Sequence, residues 1–413
     1  QSENALLVGL SPGPKARARI ERSLNELDAL AHSAGARVVG RVVQERPRKD
    51  PATLIGRGKV EEVARLAEEG EANLLVFDDE LTPAQQRNLE EVARRKTLDR
   101  TQLILDIFAR RARTREGRLQ VELAQLDYLL PRLAGKGILL SRLGGGIGTR
   151  GPGETKLETD RRRIRQRIQS VKREIERVRR TRRTWRQGRR RQAPPVAALV
   201  GYTSAGKSTL FGALTGAEVA ISDQLFMTLD PLVRKAALGN GREVLLVDTV
   251  GFIQKLPLAL VAAFRATLEE VVEADLLLHV VDASAEDPEP REAAVEEVLR
   301  EIGAAEVPRL TVLNKADLLE PARAAALVAA RPDAFLVSAR TGQGLRELRE
   351  TVADRLALDR RRVHLRFRTD DTRGIAAVYS AGRVVAHEVQ GDEARLEADL
   401  PERLIGRYRD HLV

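Results

Sequence analysis

The sequence predicts a multidomain α/β protein, and three observations carry that prediction. Short apolar runs alternate with helical patterns over residues 1–100 and again over 196–357, the arrangement of strands and helices laid in a parallel layer. Between them, 102–135 and 157–187 hold apolar positions at helical spacing for longer than an ordinary globular helix. The tail 362–413 returns to strand-like alternation. The expected order is an N-terminal α/β domain over 1–100, a long antiparallel helical hairpin with a glycine-rich loop over 101–190, a nucleotide-binding α/β domain over 193–358, and a small C-terminal α+β domain over 362–413.

In the first layer, Leu6-Leu7-Val8-Gly9-Leu10 is an apolar run of strand length. Residues 15–33 put Ile20, Leu24, Leu27 and Leu30 on one helical face. Arg37–Val43 reads as a second strand, 59–69 as a helix and Leu74–Phe77 as a third strand. A further helix starts at Thr82-Pro83, since a first-turn proline lacks only an N–H that the helix does not use.

In the hairpin, Leu119, Leu123, Leu126, Leu130 and Leu133 step by four and three, while Leu157, Ile164, Ile168, Val171, Ile175, Val178 and Trp185 keep a heptad seam. At ~1.5 Å per residue each arm is roughly 45–50 Å long. The joining stretch 135–153 is too rich in glycine to be helical. Gln187–Pro195 is a basic, proline-ended linker. In the tail, Val363–Phe367 alternates as a strand, a pair of strands flanks Gln390-Gly391-Asp392, and a helical stretch closes the chain.

Composition narrows the chemistry. The 413 residues include no cysteine, which excludes disulfides, thiolate metal sites and a cysteine nucleophile. Five scattered histidines argue against a histidine-built metal site. No apolar run approaches the ~18 residues of a membrane span, and Gln1-Ser2-Glu3-Asn4 lacks a basic leader. A soluble, cytoplasmic monomer is the expectation, starting inside or after a trimmed terminus. Residues 161–191 hold sixteen Arg or Lys against two Glu, more positive charge than the whole chain's net +10. Like charges at i,i+4 repel on a helix, so this is a poor design for solvent and a good one for a polyanion.

The strongest motif is Gly201-Tyr202-Thr203-Ser204-Ala205-Gly206-Lys207-Ser208, followed by Thr209. It fits G-x-x-x-x-G-K-[ST] between an apolar strand, Val196–Val200, and a helical run. Backbone N–H groups around the glycines and the positive end of the next helix suit phosphates. Lys207 would reach the β- and γ-phosphates, and Ser208 would bind Mg²⁺. Asp248-Thr249-Val250-Gly251 ends the strand Val244–Val247, with Asp248 placed for Mg²⁺ through water and the Gly251 N–H for the γ-phosphate. Asn314-Lys315-Ala316-Asp317 ends the strand Leu310–Leu313, and the Asp317 carboxylate can accept from guanine N1–H and N2–H₂, which adenine lacks. Ser338-Ala339-Arg340 ends the strand Ala334–Val337 and suits a backbone contact to guanine O6. All three follow strand C-terminal ends, where open α/β sheets bind ligands. In this order the four elements predict a P-loop GTPase that binds GTP and GDP. Phe252 follows Asp-x-x-Gly where Ras-like enzymes carry a water-orienting Gln. A phenyl ring cannot orient water, so slow intrinsic hydrolysis is expected.

The run from Leu143-Gly144-Gly145-Gly146-Ile147-Gly148-Thr149-Arg150-Gly151-Pro152-Gly153-Glu154 to Arg162, with Leu225-Phe226-Met227-Thr228-Leu229-Asp230-Pro231 and Asp248-Thr249-Val250-Gly251-Phe252-Ile253, closely resembles the HflX family over essentially the whole chain. That resemblance implies a ribosome-associated GTPase that binds the large subunit and splits stalled ribosomes. It makes Thr228 the switch threonine that closes over Mg²⁺ and the γ-phosphate, and it sends the 136–156 loop to the peptidyl-transferase region. Ser204 departs from the family's usual Asn in the phosphate loop, which leaves potassium dependence open.

The expected function is therefore GTP-dependent binding to the large subunit and its rRNA, coupled to ribosome splitting or rescue under stress. No base-reading code is visible, so the RNA contact should be to backbone and shape; Trp185 amid Arg182, Arg183 and Arg186 is either seam packing or a stacking platform. Two other classes stay open. One is a GTP-dependent switch that recruits partners. The other is ATP-dependent RNA remodelling through a second nucleotide in residues 1–100, where Gly56-Arg57-Gly58-Lys59 is either a cradle for a second phosphate or a plain turn before a helix.

Overall fold

A computed structural model describes residues 3–133, 152–189, 194–218, 225–239, 242–255, 265–356 and 360–413. The glycine loop 134–151 and the side chains of Trp185 and its neighbouring arginines lie outside the described residues. The chain divides into two compact units.

The first unit comprises Gln1–Arg180 together with Ser222–Asp230 and Val250–Leu268. Its sheet has the order β2-β1-β3-β4, built from β1 (Glu3–Ser11), β2 (Ala36–Glu45), β3 (Leu74–Phe77) and β4 (Lys96–Asp99), all parallel. The helices are α1 (Arg17–Ser33), α2 (Arg57–Glu69), α3 (Pro83–Ala93), α4 (Arg100–Arg111) and α5 (Arg115–Leu133), followed by a long helix, Pro152–Arg189, which belongs to this unit as far as Arg180. β1 and β3 are buried on both faces, so they read as continuous apolar runs rather than alternating ones. Phe77, Leu75, Val8 and Leu89 anchor this core, each full burial being worth about 1.5–3 kcal/mol. Proline opens α3 as expected, inside a reciprocal Thr82–Gln85 capping box. Three readings are corrected. The 102–135 segment is two helices, broken at Ala112–Thr114 where Ala112 turns extended. Helix starts at Pro152 rather than beyond Gly153, because proline and glycine are tolerated in a first turn. α2 starts at Arg57. α5 meets the long helix through Leu119, Leu123, Val171 and Ile175. The ion pairs Arg115–Glu174 and Arg167–Glu122 run in opposite chain order, which makes the pairing antiparallel.

The second unit comprises Thr181–Ile221, Pro231–Thr249 and Glu269–Val413. Its six-stranded sheet is β10-β9-β8-β5-β7-β6, from β5 (Val196–Gly201), β6 (Leu232–Gly239), β7 (Arg242–Asp248), β8 (Leu276–Asp282), β9 (Arg309–Asn314) and β10 (Ala334–Leu336). Five strands are parallel, and the edge strand β6 is antiparallel to β7. A three-stranded antiparallel sheet, β11-β13-β12, follows from β11 (Arg360–Arg368), β12 (Arg383–Gln390) and β13 (Glu393–Pro401), with the helix Thr372–Ala381 on the chain between β11 and β12.

Candidate nucleotide site

The phosphate loop leaves the C-terminal end of β5 and enters the helix Lys207–Thr215. Ser204 has a φ of 60° and Gly206 a φ of 90°, so the loop turns through the left-handed region twice. Only glycine serves at 206, where a Cβ would collide with the amide nitrogen of Asn314. Lys207 is buried, and its ammonium donates to the carbonyls of Gly201 (3.1 Å) and Tyr202 (2.8 Å). Burial pulls its pKa down to about 8, against an upward pull from Asp248. The Ser208 hydroxyl donates to Asp248 Oδ2 at 2.7 Å, at the end of the fully buried carboxylate of β7. A hydroxyl and a carboxylate held together are hard oxygen donors of the kind Mg²⁺ takes. Thr249 ties its own hydroxyl to the Leu199 carbonyl at 2.6 Å, which locks the ends of β5 and β7.

Asn314 joins the two halves of this site. Its Nδ2 donates to the Ala205 carbonyl (2.9 Å), and its Oδ1 accepts from the Ala339 N–H (3.0 Å). The phosphate loop and the Ser338-Ala339-Arg340 loop are thereby fixed through one side chain. Asp317 accepts from Ser338 Oγ at 2.6 Å and pairs with Arg340 at 2.7 Å. That hydroxyl bond, then the Arg340 and Lys315 charges, hold its carboxyl below the usual range. Lys315, with φ 69°, ion-pairs with Asp282 at 2.7 Å. Asp282 was not anticipated. Its position as the last residue of β8, level with Asn314 in the sheet register, is the signal that points to it. His279 on β8 is a core residue, and burial lowers its pKa to about 4, so it is neutral at physiological pH.

Thr228 and Gly251 belong by their contacts to the first unit, and Lys207, Ser208, Asp248 and the guanine-side residues to the second. Phe252 is fully buried, as a packing residue should be. The first unit holds both segments with residues that the motifs do not flag. Arg100, 2% exposed, donates to Asp78 (3.2 Å), Glu26 (3.1 Å), the Ser23 carbonyl (3.1 Å) and the Gln254 carbonyl (2.8 Å). Lys255 pairs with Asp78, which also accepts from Ser23 Oγ at 2.7 Å. Burial works to raise the Asp78 pKa, but the Arg100 and Lys255 charges outweigh it and hold it low. The legible signal was Asp78, an ionisable residue directly after the apolar strand β3; Arg100 follows β4, whose Lys-Thr-Leu-Asp sequence gives no such cue.

On the long helix, Ile168, Val171 and Ile175 are buried, while Arg162, Arg163, Arg165, Arg173, Arg177 and Arg180 are exposed. In the Gly56–Lys59 turn, the Gly56 N–H donates to Gln44 Oε1 at 2.8 Å, and the Lys59 ammonium pairs with Glu62. No helix among the described residues is long and apolar enough to cross a membrane.

The sheet order and the Lys207–Ser208–Asp248 and Asn314–Asp317 arrangements define a P-loop GTPase. Family models agree, matching residues 21–109 as a GTP-binding GTPase N-terminal region, 111–189 as a GTP-binding GTPase middle region and 196–315 as a 50S ribosome-binding GTPase. The GTPase HflX of Caldanaerobacter subterraneus subsp. tengcongensis is 46% identical over all of this chain and 94% of its own. That of Alkalihalophilus pseudofirmus is 53% identical over 76% of this chain and 74% of its own, and that of Escherichia coli 47% over 81% and 79%. The crystal structure of a GTP-binding protein from Sulfolobus solfataricus in complex with GDP covers 86% of this chain and 98% of its own, at 24% identity and a TM-score of 0.45. The chain belongs to the HflX family of GTPases.

Proposed function

We propose that this GTPase binds the large ribosomal subunit through rRNA and couples its nucleotide cycle to ribosome splitting or rescue. The observation that carries the RNA reading is the long helix. Its apolar seam is covered by α5, which leaves a face of arginines outward with few acidic residues to neutralise them. Such a face gains affinity for a phosphate backbone by releasing counterions. The family model's description as a 50S ribosome-binding GTPase supports the same partner.

In this reading Lys207 neutralises the β- and γ-phosphates while Gly201 to Ser208 wrap them with N–H groups, continued by Thr209 in the first helical turn. Ser208 and Asp248, with Thr228 as the family resemblance implies, would hold Mg²⁺, which would supply charge neutralisation on the phosphoryl oxygens. Gly251 donates its N–H to the γ-phosphate. Asp317 accepts from guanine, Asn314 and Lys315 frame the base, and the Ser338-Ala339-Arg340 backbone meets O6. Phe252 supplies no polar group to water, so turnover is slow until the large subunit completes the site. Sedimentation of ribosomes with the protein and GTP, GDP or a non-hydrolysable analogue tests this. Large-subunit binding and loss of 70S particles should appear with GTP or the analogue and not with GDP. Equal binding in all three states would refute the coupling.

A further inference from the structure

The segment that carries Thr228 is anchored on both sides by residues of the N-terminal half of the chain. Two residues before it, Phe226 is buried with its ring edge-on to Phe108, centroids 4.7 Å apart at 76°. One residue earlier, the Leu225 N–H donates to Ser33 Oγ at 3.1 Å. Two residues after Thr228, the Asp230 carboxylate accepts from the backbone N–H groups of Arg113 (2.8 Å) and Thr114 (2.9 Å), and from the Thr114 hydroxyl. Thr114 precedes the first turn of α5, and its Oγ1 accepts from the Gly117 N–H at 3.0 Å. Asp230 therefore completes the N-terminal cap of α5 from more than a hundred residues away, where a negative charge also suits the helix dipole. The fit depends on residue 117 having no side chain. A Cβ there would collide with Asp230 Oδ1.

We propose that Asp230 is a positioning residue for GTP hydrolysis: by capping α5 it fixes the height and direction of the segment that presents Thr228. The caps and the ring contact hold residues 225, 226 and 230, so the intervening threonine has little freedom to leave. The same bond works in reverse, since α5 pairs with the arginine helix. A displacement of the switch segment uncaps the base of the proposed RNA-binding arm. The inference rests on Thr228 being the switch threonine, and the experiment separates the two.

The test is steady-state and single-turnover GTP hydrolysis by the full-length protein, alone and with large subunits, with melting temperature recorded for each variant. Asp230→Ala should lower kcat by about tenfold or more while GDP affinity stays within about threefold, the pattern of an interaction that matters after binding. Asp230→Asn should retain an intermediate rate, because its amide oxygen still accepts from the two N–H groups. Gly117→Ala is the sharper variant. Helix propensity alone would make it stabilising, yet here it should reproduce the Asp230→Ala kinetics. The double variant should be no worse than either single one, because both break one contact. Thr228→Ala distinguishes the readings. If it leaves hydrolysis unchanged, the switch assignment fails. If it abolishes hydrolysis while Asp230→Ala and Gly117→Ala, folded by their melting curves, hydrolyse GTP at the parent rate, the positioning role is overturned. Loss in both single variants that adds in the double variant would equally overturn the shared-contact argument.

Discussion

Nucleotide binding should carry a proton, and the amount follows from Lys207. In the structure this ammonium is enclosed, donates to the Gly201 and Tyr202 carbonyls, and has a pKa lowered by burial to about 8. A phosphate chain places negative charge beside it and returns the group toward its ordinary range near 10.4. At pH 8, then, about half of the nucleotide-free protein has Lys207 neutral, and binding takes up about half a proton; at pH 7 the uptake falls to about a tenth. Affinity should be level below pH 7 and decline as pH rises through 8, approaching tenfold per unit, or about 1.4 kcal/mol. The nucleotide-free fold has the opposite slope. Its lysine binds fewer protons than the unfolded chain between pH 8 and the unfolded pKa, so this group makes stability rise with pH across that window. Calorimetric titration with GDP and Mg²⁺ in two buffers of different ionisation enthalpy, at pH 7 and pH 8, counts the protons directly. No uptake at pH 8, or the same uptake at both, would mean that Lys207 does not meet the phosphates from an enclosed site.

Asp317→Asn should weaken GDP binding by roughly 10- to 150-fold, about 1.5–3 kcal/mol for a charge-assisted bond, and an unchanged calorimetric affinity would remove Asp317 from base reading. Replacing Arg162, Arg165, Arg173 and Arg177 with Gln should reduce large-subunit affinity and flatten its dependence on salt, by about 0.7–0.9 in log–log slope for each lost phosphate contact; an unaltered slope would assign those arginines to solvent. Lys255→Gly and Glu71→Gly make a matched pair, because both residues have positive φ (55° and 51°) but only Lys255 pairs with a buried carboxylate. Denaturant midpoints should show Glu71→Gly neutral or up to about 1 kcal/mol more stable and Lys255→Gly about 2–3 kcal/mol less stable, and a shift of the same sign in both would refute the Asp78 ion pair as a support.

What the sequence made legible was what is encoded locally. The phosphate loop, Asp248, Asn314–Asp317 and Ser338–Arg340 are contiguous motifs at strand ends, so their residue types and spacing announce them. β3 was visible as four apolar residues, and the α3 start as Thr82-Pro83. β6 was not, because as an edge strand it is largely exposed and its Arg234 and Lys235 interrupt any apolar run. β4 is four residues long, with only Thr97, Leu98 and Asp99 buried. The break between α4 and α5 has a different explanation. Ala112-Arg113-Thr114 contains no glycine or proline, and the group that satisfies its backbone is Asp230. A helix end stabilised across that distance cannot be read from a window of neighbouring residues.

The same long-range logic accounts for the strain in the segments that carry Thr228 and Gly251. Phe226 and Lys255 both adopt left-handed backbone, at φ 58° and 55°, a conformation that costs a residue with a Cβ roughly 1–2 kcal/mol. Neither position is glycine, although glycine would remove the cost. Such outliers persist where the surroundings over-determine them. For Phe226 the surroundings are Phe108 and the flanking Ser33 and Asp230 contacts; for Lys255 they are Asp78 and the Arg100 bond to the neighbouring Gln254 carbonyl. Each side chain returns more in packing or ion pairing than its backbone loses, provided the N-terminal layer is in place. Detached from that layer, both segments would keep the cost and lose the return, and would relax to other conformations. Phe226, before Thr228, and Lys255, after Gly251, are therefore residues that fit the N-terminal layer, and the backbone of both segments depends on that fit.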